Sequence, residues 1–175
     1  FEGAVPAGVI TAFLLIEERD QRTIDALLVS PLPISALLGY RLISAYLLSL
    51  LTMIAGFLII GVQSLPLRQL LLVSVTAAGS GPLIALAIAA GANNKIEGFA
   101  VLKSVNLIGL PILIAWFSPA QWHWVLWPFP SYWSAGAAWA ATPAAALTGA
   151  VAAGLLTAAA LVVLSRRYYR KLTES

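Results

Sequence analysis

Residues Leu42 to Val62 read LISAYLLSLLTMIAGFLIIGV, one unbroken run without a formal charge. A helix needs about 20 apolar residues to cross the hydrocarbon core of a bilayer. This run meets that length, and its neighbours repeat the pattern. Gln69 to Ala92 is also free of charge and carries Gly79, Gly81 and Pro82 near its middle. Gly3 to Ile16 is shorter and contains Pro6; Ser104 to Phe117 is short with Pro111 inside. A last apolar stretch, rich in Ala and Gly, lies within Ser134 to Ser165. The reading is an all-α, polytopic membrane helix bundle of about five transmembrane helices, forming one transmembrane domain over residues 1–175.

Composition points the same way. Hydrophobic residues make up 61% of the chain and charged residues 10%, where a soluble domain carries about 25%. In water such a chain could not cover its own surface with polar groups, and lipid is the solvent that fits. The absence of cysteine excludes a disulfide framework, a thiolate metal site and a cysteine nucleophile. The sequence opens on Phe1 with no basic n-region and no small-residue cleavage pattern, so no signal peptide is read there.

The charges sort by side. With five crossings, one side collects Arg19, Arg22, Arg41, Lys95, Lys103 and the tail residues Arg166, Arg167, Arg170 and Lys171. The opposite side holds only Arg68. By the positive-inside rule the loop at 17–33, the Lys95 loop (Asn93 to Lys103) and the tail at 166–175 are cytoplasmic. The turn from Gln63 to Arg68 and the Trp-rich stretch at 118–133 are then outside. That stretch carries Pro119, Pro128 and Pro130 among its tryptophans, which predicts short helices dipping into the outer leaflet as a re-entrant region.

The charge-rich stretch follows directly on the first apolar run: Glu17 to Pro33 reads EERDQRTIDALLVSPLP. Ile24, Leu27 and Leu28 fall at i, i+3 and i+4 and share one helix face. Pro31 and Pro33 stop the helix. A short amphipathic cytoplasmic helix between two spans results. An ordinary solvated loop is the alternative, but a plain loop has no need of an apolar face.

At this point the sequence resembles a family. Glu18-Arg19-Asp20, followed by Thr23, Asp25, Leu27, Leu28 and Pro31, is similar to the pattern E-R-E-x-G-T-x-E-x-L-x-x-x-P of ABC-2 type transporter permease subunits. Asp replaces Glu twice, and Arg22 stands at the family's Gly. Asn93-Asn94-Lys95-Ile96-Glu97-Gly98-Phe99-Ala100 resembles the family's second cytoplasmic loop, and Pro128-x-Pro130-x-Tyr132-Trp133 its external re-entrant region. Some drug-export permeases of the family share the latter two wordings.

The resemblance implies a permease subunit of an exporter, set in the cell membrane as a multi-pass protein with a cytoplasmic C-terminus. Its coupling helix touches a separate ATP-binding-cassette subunit, and a second permease chain completes a homo- or heterodimer. It implies Ile24, Leu27 and Leu28 as the docking face, with Glu18, Arg19, Asp20, Thr23, Asp25 and Pro31 around it. The family has six helices, so the first is expected to be absent from this chain.

Other chemistries find little support in the residues. No Gly-rich phosphate loop is present, so ATP would be used by the partner and no cofactor bound directly. His123, the one histidine, sits between Trp122 and Trp124 and reads as a boundary residue, since a metal site needs three or four ligands. No ionisable residue lies deep in a run, which argues against an ion-coupled carrier. The small residues Gly79-Ser80-Gly81, Gly149 and Ala152-Ala153-Gly154 read first as helix packing. Gly81, Pro82, Asn106 and Pro111 are candidates for kinks along a translocation path. The cargo expected is hydrophobic or amphipathic, such as a drug or lipid; lipids are the other partners, and nucleic acid is not one. A non-transporting assembly subunit is the main rival, and a membrane-embedded enzyme the lesser one.

Overall fold

A computed structural model describes residues 2–21, 34–60 and 66–173. Among them there is no strand. Eight α-helices follow in order within the described residues: α1 (Val5–Asp20), α2 (Ile34–Ile60), α3 (Leu67–Ala78), α4 (Ser80–Gly91), α5 (Lys95–Val105), α6 (Leu110–Phe117), α7 (Pro130–Trp139) and α8 (Pro143–Thr173). Short 3-10 turns occupy Glu2–Ala4, Asn106–Gly109 and Ala120–Leu126.

Among the described residues, four helical stretches are long and apolar enough to cross a membrane: Ser35–Ile59, Leu67–Gly91, Lys95–Phe117 and Pro143–Leu172. Two of these are broken pairs. Proline explains both breaks, because its ring displaces the carbonyl four residues back and its nitrogen carries no hydrogen. Ahead of Pro82, the Gly79 N–H donates to Thr76 O at 3.3 Å, and α3 passes into α4 without leaving helical dihedrals. Ahead of Pro111, the turn Asn106–Gly109 tightens to 3-10 geometry between α5 and α6. The first helix, α1, has 16 residues, about 24 Å at 1.5 Å per residue.

The α3–α4 helix is the axis of the bundle: 72% of its span is buried, against 17–25% for the other three. Helices α1, α2, α5 and α8 pack around α4. One apolar cluster joins Ala12 and Ile16 of α1 to Ile84, Ala85 and Ile88 of α4 and Val105 of α5. A second joins Leu15 of α1, Leu38 of α2, Leu86 and Ala89 of α4 and Tyr168 of α8. The outer faces are apolar as well: Tyr40, Ile43 and Leu51 of α2 and Leu155 and Val163 of α8 are exposed. Lipid is the solvent for such a surface.

Small residues let the central helices meet. A methyl on Gly8 of α1 would lie 2.6 Å from Gly81 O and 2.8 Å from Ile84 Cβ. A methyl on Gly81 would run into Ser49 Oγ of α2. Three helices therefore cross where the kink lies, and Gly81 and Pro82 are buried in that crossing. Pro111 is buried too, and Asn106 lies in the 3-10 turn before it.

Element limits differ from the sequence reading at several points. Lys95 begins a helix where a loop was expected, and Arg166 to Lys171 continue α8 where a tail was expected. α8 extends past its apolar run because Lys and Arg near a helix C-terminus interact favourably with its dipole, whereas α5 starts at Lys95 because Asn94 caps it by accepting the Glu97 N–H. The stretch from Ser134 to Ser165 is two helices, because Thr142-Pro143 starts a new one. Thr142 Oγ1 accepts the Ala145 N–H at 3.3 Å, an N-cap with proline at the first helical position.

Candidate functional site

Five helix ends converge at the charged end of the bundle: the C-termini of α1, α4 and α8 and the N-termini of α2 and α5. The last carbonyls of a helix have no partner within it and carry partial negative charge. At α4 two cations meet them. The Arg19 guanidinium of α1 donates to Ala92 O and Asn93 O, both at 2.8 Å, and reaches Ala89 O at 3.5 Å. The Lys171 ammonium of α8 donates to Ala92 O at 2.7 Å and Ala90 O at 3.2 Å. The end of the axial helix is thereby clamped from two sides. Tyr168, buried one turn before Lys171, donates its hydroxyl to Leu15 O of α1 at 3.4 Å.

Acidic residues fasten the remaining ends. Glu18 of α1 forms an ion pair with Arg41 of α2, with 15% and 25% of the two side chains exposed. Pairs this enclosed are screened by solvent less than surface pairs. Glu17 meets Lys95 of α5 at 3.3 Å in a more open setting, where such a pair contributes about 0–1 kcal/mol. Glu97 organises the start of α5 as a capping box: its N–H donates to Asn94 Oδ1 at 2.9 Å, and its carboxylate accepts the Asn93 N–H at 2.7 Å. Gly98 next to it is buried because a methyl there would approach Ile16 Cδ1 to 3.1 Å and Phe13 Cε1 to 3.2 Å. Phe13 and Phe99 lie 4.7 Å apart between ring centres, closing the α1–α5 seam.

The sequence-predicted coupling residues divide accordingly. Glu18 and Arg19 turn inward and bind other helices; Asp20 is exposed at the end of α1. Thr23, Ile24, Asp25, Leu27, Leu28 and Pro31 lie outside the described residues, as does the apolar face expected of them. The translocation candidates Gly81, Pro82 and Pro111 lie buried in helix contacts away from this cluster.

Arg41, Lys171, Tyr168 and the capping pair Asn94 and Glu97 belong to the site although none was read from sequence as a site residue. Asn-x-x-Glu ahead of an apolar run is a capping signature and was a legible signal. Nothing in the sequence tells which carbonyls a basic residue at the far end of the chain will reach.

Comparison with known proteins extends the picture. The family model described as fluoroquinolones export permease protein Rv2686c-like matches residues 3–165. Two curated relatives carry similar names: fluoroquinolones export permease protein MT2760 of Mycobacterium tuberculosis (strain CDC 1551 / Oshkosh) and fluoroquinolones export permease protein Rv2686c of Mycobacterium tuberculosis (strain ATCC 25618 / H37Rv). Each is 33% identical over 141 residues, which cover 79% of this chain and 56% of the relative. The chain thus spans about half the length of the curated relatives it matches. No solved structure matches. With apolar helices long enough to cross a membrane and a family model matched across most of its length, the chain belongs to the Rv2686c-like family of export permease proteins.

Proposed function

We propose that this chain is the membrane-spanning permease subunit of an ABC-2 type exporter, driven by a separate ATP-binding subunit. Its cargo is an amphipathic drug, of the class named for its relatives. The charged end faces the cytoplasm, in keeping with the crowding of basic residues there. The chain supplies the path and the partner supplies ATP hydrolysis; two permease chains complete the unit.

One observation carries the reading. Glu18 and Arg19, the first residues of the proposed coupling set, are bound to the rest of the bundle, and Arg19 sits on the end of its axial helix. A push delivered to residues 23–31 by closing nucleotide-binding subunits would therefore reach α4 directly rather than dissipate in a loose loop. Packed helices answer such a push by switching between discrete arrangements. Asp20, exposed beside the pivot, is free to meet the ATP-binding partner. In this scheme Ile24, Leu27 and Leu28 form the docking face, Thr23, Asp25 and Pro31 frame it, and the kinks at Gly81-Pro82 and Asn106 to Pro111 let the helices bend around the path.

The test is Leu27→Asp in the chain co-expressed with its ATP-binding partner. A carboxylate in an apolar docking face costs about 2 kcal/mol or more. ATP hydrolysis uncoupled from drug efflux, with the membrane domain still folded, is the expected result. Efflux equal to wild type would overturn the assignment of the coupling segment.

A further inference from the structure

The other end of the molecule holds an aromatic cavity that the transport scheme does not use. It has a volume of about 160 Å³ and lies between α7, the start of α8 and the 3-10 turn Ala120–Leu126. His123, Tyr132, Trp133, Gly136, Trp139 and Thr148 line it. The rings are held in place: Tyr132 and Trp133 meet edge to face at 5.5 Å, and Trp139 rests against Trp116 at 5.5 Å.

The two nearby glycines do opposite jobs. A methyl on Gly149 would come 3.1 Å from Trp133 O and 3.2 Å from Ala137 N, so Gly149 brings α8 close under α7. A methyl on Gly136 would meet nothing within 4 Å. Gly136 therefore faces open space that a side chain would fill.

Hydrogen-bond direction defines what the cavity offers. His123 Nε2 lies 3.3 Å from Ser118 O, and a carbonyl only accepts, so Nε2 carries the proton. Nδ1 is then the acceptor, and the Tyr132 hydroxyl, 3.4 Å away, donates to it. Thr148 donates to Ala145 O at 2.9 Å, and Trp133 Nε1 donates to Trp127 O at 2.8 Å. With these hydrogens committed, the Tyr132 and Thr148 oxygens keep lone pairs as acceptors, and Tyr132, Trp133 and Trp139 bring aromatic rings to the lining. Every one of these groups attracts positive charge. The sequence carries no Lys, Arg, Asp or Glu between Lys103 and Arg166, so the lining holds no lysine or arginine to repel a cation and no carboxylate to fill the place of one.

Size narrows the ligand. A cavity of about 150 Å³ accommodates a benzene molecule, whereas drug-sized ligands occupy about 300–1,000 Å³. The space suits one compact group. We propose that this cavity binds an organic ammonium group, contributed by a lipid headgroup or by a soluble amine. The site is independent of the transport reading, since it needs neither ATP nor a partner.

Choline and its neutral isostere 3,3-dimethyl-1-butanol test it, because they differ in charge and little in shape. The full chain in nanodiscs of phosphatidylglycerol, a lipid without an ammonium group, is titrated with each and followed by tryptophan fluorescence. Choline is expected to bind about tenfold more tightly than the isostere. Gly136→Leu, which fills the open space, is expected to weaken choline at least about tenfold, and Trp139→Ala about fivefold. Equal binding of choline and the isostere, or wild-type choline affinity in both folded variants, overturns the proposal. A repeat in phosphatidylcholine nanodiscs identifies the source. Loss of choline binding there assigns the site to the lipid headgroup, and unchanged binding assigns it to a soluble amine.

Discussion

Two helix C-termini in this molecule face the same physical problem and solve it differently. At the charged end, the last carbonyls of α4 receive the Arg19 guanidinium and the Lys171 ammonium. At the aromatic end, the last carbonyls of α7 receive the amide of Gln69: its Nε2 lies 2.9 Å from Ala137 O, 3.1 Å from Ala138 O and 3.2 Å from Ala140 O. Both devices satisfy orphan carbonyls with a side chain from another helix. Only one does so with charge. Hydrogen bonds from charged donors contribute about 1.5–3 kcal/mol each, neutral ones about 0.5–1.5. The charged end is thus the tighter joint, and it ties α1 and α8 to the axial helix. The aromatic end ties α3 to α7 with less energy and leaves a cavity beside the joint.

That contrast can be broken from either side. The largest effect is expected for Arg19→Ala, which strips the α4 terminus of one of its two cations and leaves the Asn93 carbonyl without its donor. A loss of about 2–3 kcal/mol is expected, read as a lower melting temperature in detergent. Arg19→Lys should recover only part of it, because an ammonium cannot span three carbonyls as a planar fork does. Overpacking at the crossing comes next: Gly8→Val should cost about 1–3 kcal/mol, measured the same way, because the added atoms meet the Gly81 carbonyl and the branched, buried Ile84 side chain of α4. Gln69→Leu should cost about 1 kcal/mol and leave drug efflux close to wild type, the reverse of Arg19→Ala. The smallest effect belongs to Tyr168→Phe, where one long hydrogen bond to Leu15 O is lost and the ring packing kept; under about 1 kcal/mol is expected. If Gln69→Leu destabilised the chain more than Arg19→Ala, the ranking of the two ends would be inverted.

Much of this architecture is legible in the residues, and the exceptions have physical causes. The charge-free run from Leu42 to Val62 specifies a spanning helix, and α2 contains nearly all of it. Gln69 to Ala92 likewise differs from Leu67–Gly91 only at its ends. Hydropathy does not see a helix end whose charges are engaged. Lys95 and Lys171 look like loop residues by polarity, yet they pair with Glu17 and with the α4 carbonyls and lie on helices that run on beyond the apolar part. The division of the last apolar stretch was carried by Thr142-Pro143, a capping signal inside a run of alanines with no contrast in polarity on either side. The candidate site was half legible. Glu18 and Arg19 stood out by their wording, but that they face inward follows from where α4 ends, which is a tertiary fact. Arg41 and Lys171 are distant in sequence from Arg19 and were readable only as counts of positive charge.

The central claim is that force enters the bundle through the charged end and passes from Arg19 to α4. Drug-stimulated ATP hydrolysis tests it most directly, measured on the chain co-reconstituted with the ATP-binding subunit proposed for it and compared with Arg19→Ala at a temperature where both are folded. The account predicts that drug accelerates ATP hydrolysis in the wild-type complex. In the variant, which still assembles, drug should leave the rate unchanged. Equal stimulation in the two complexes would contradict it.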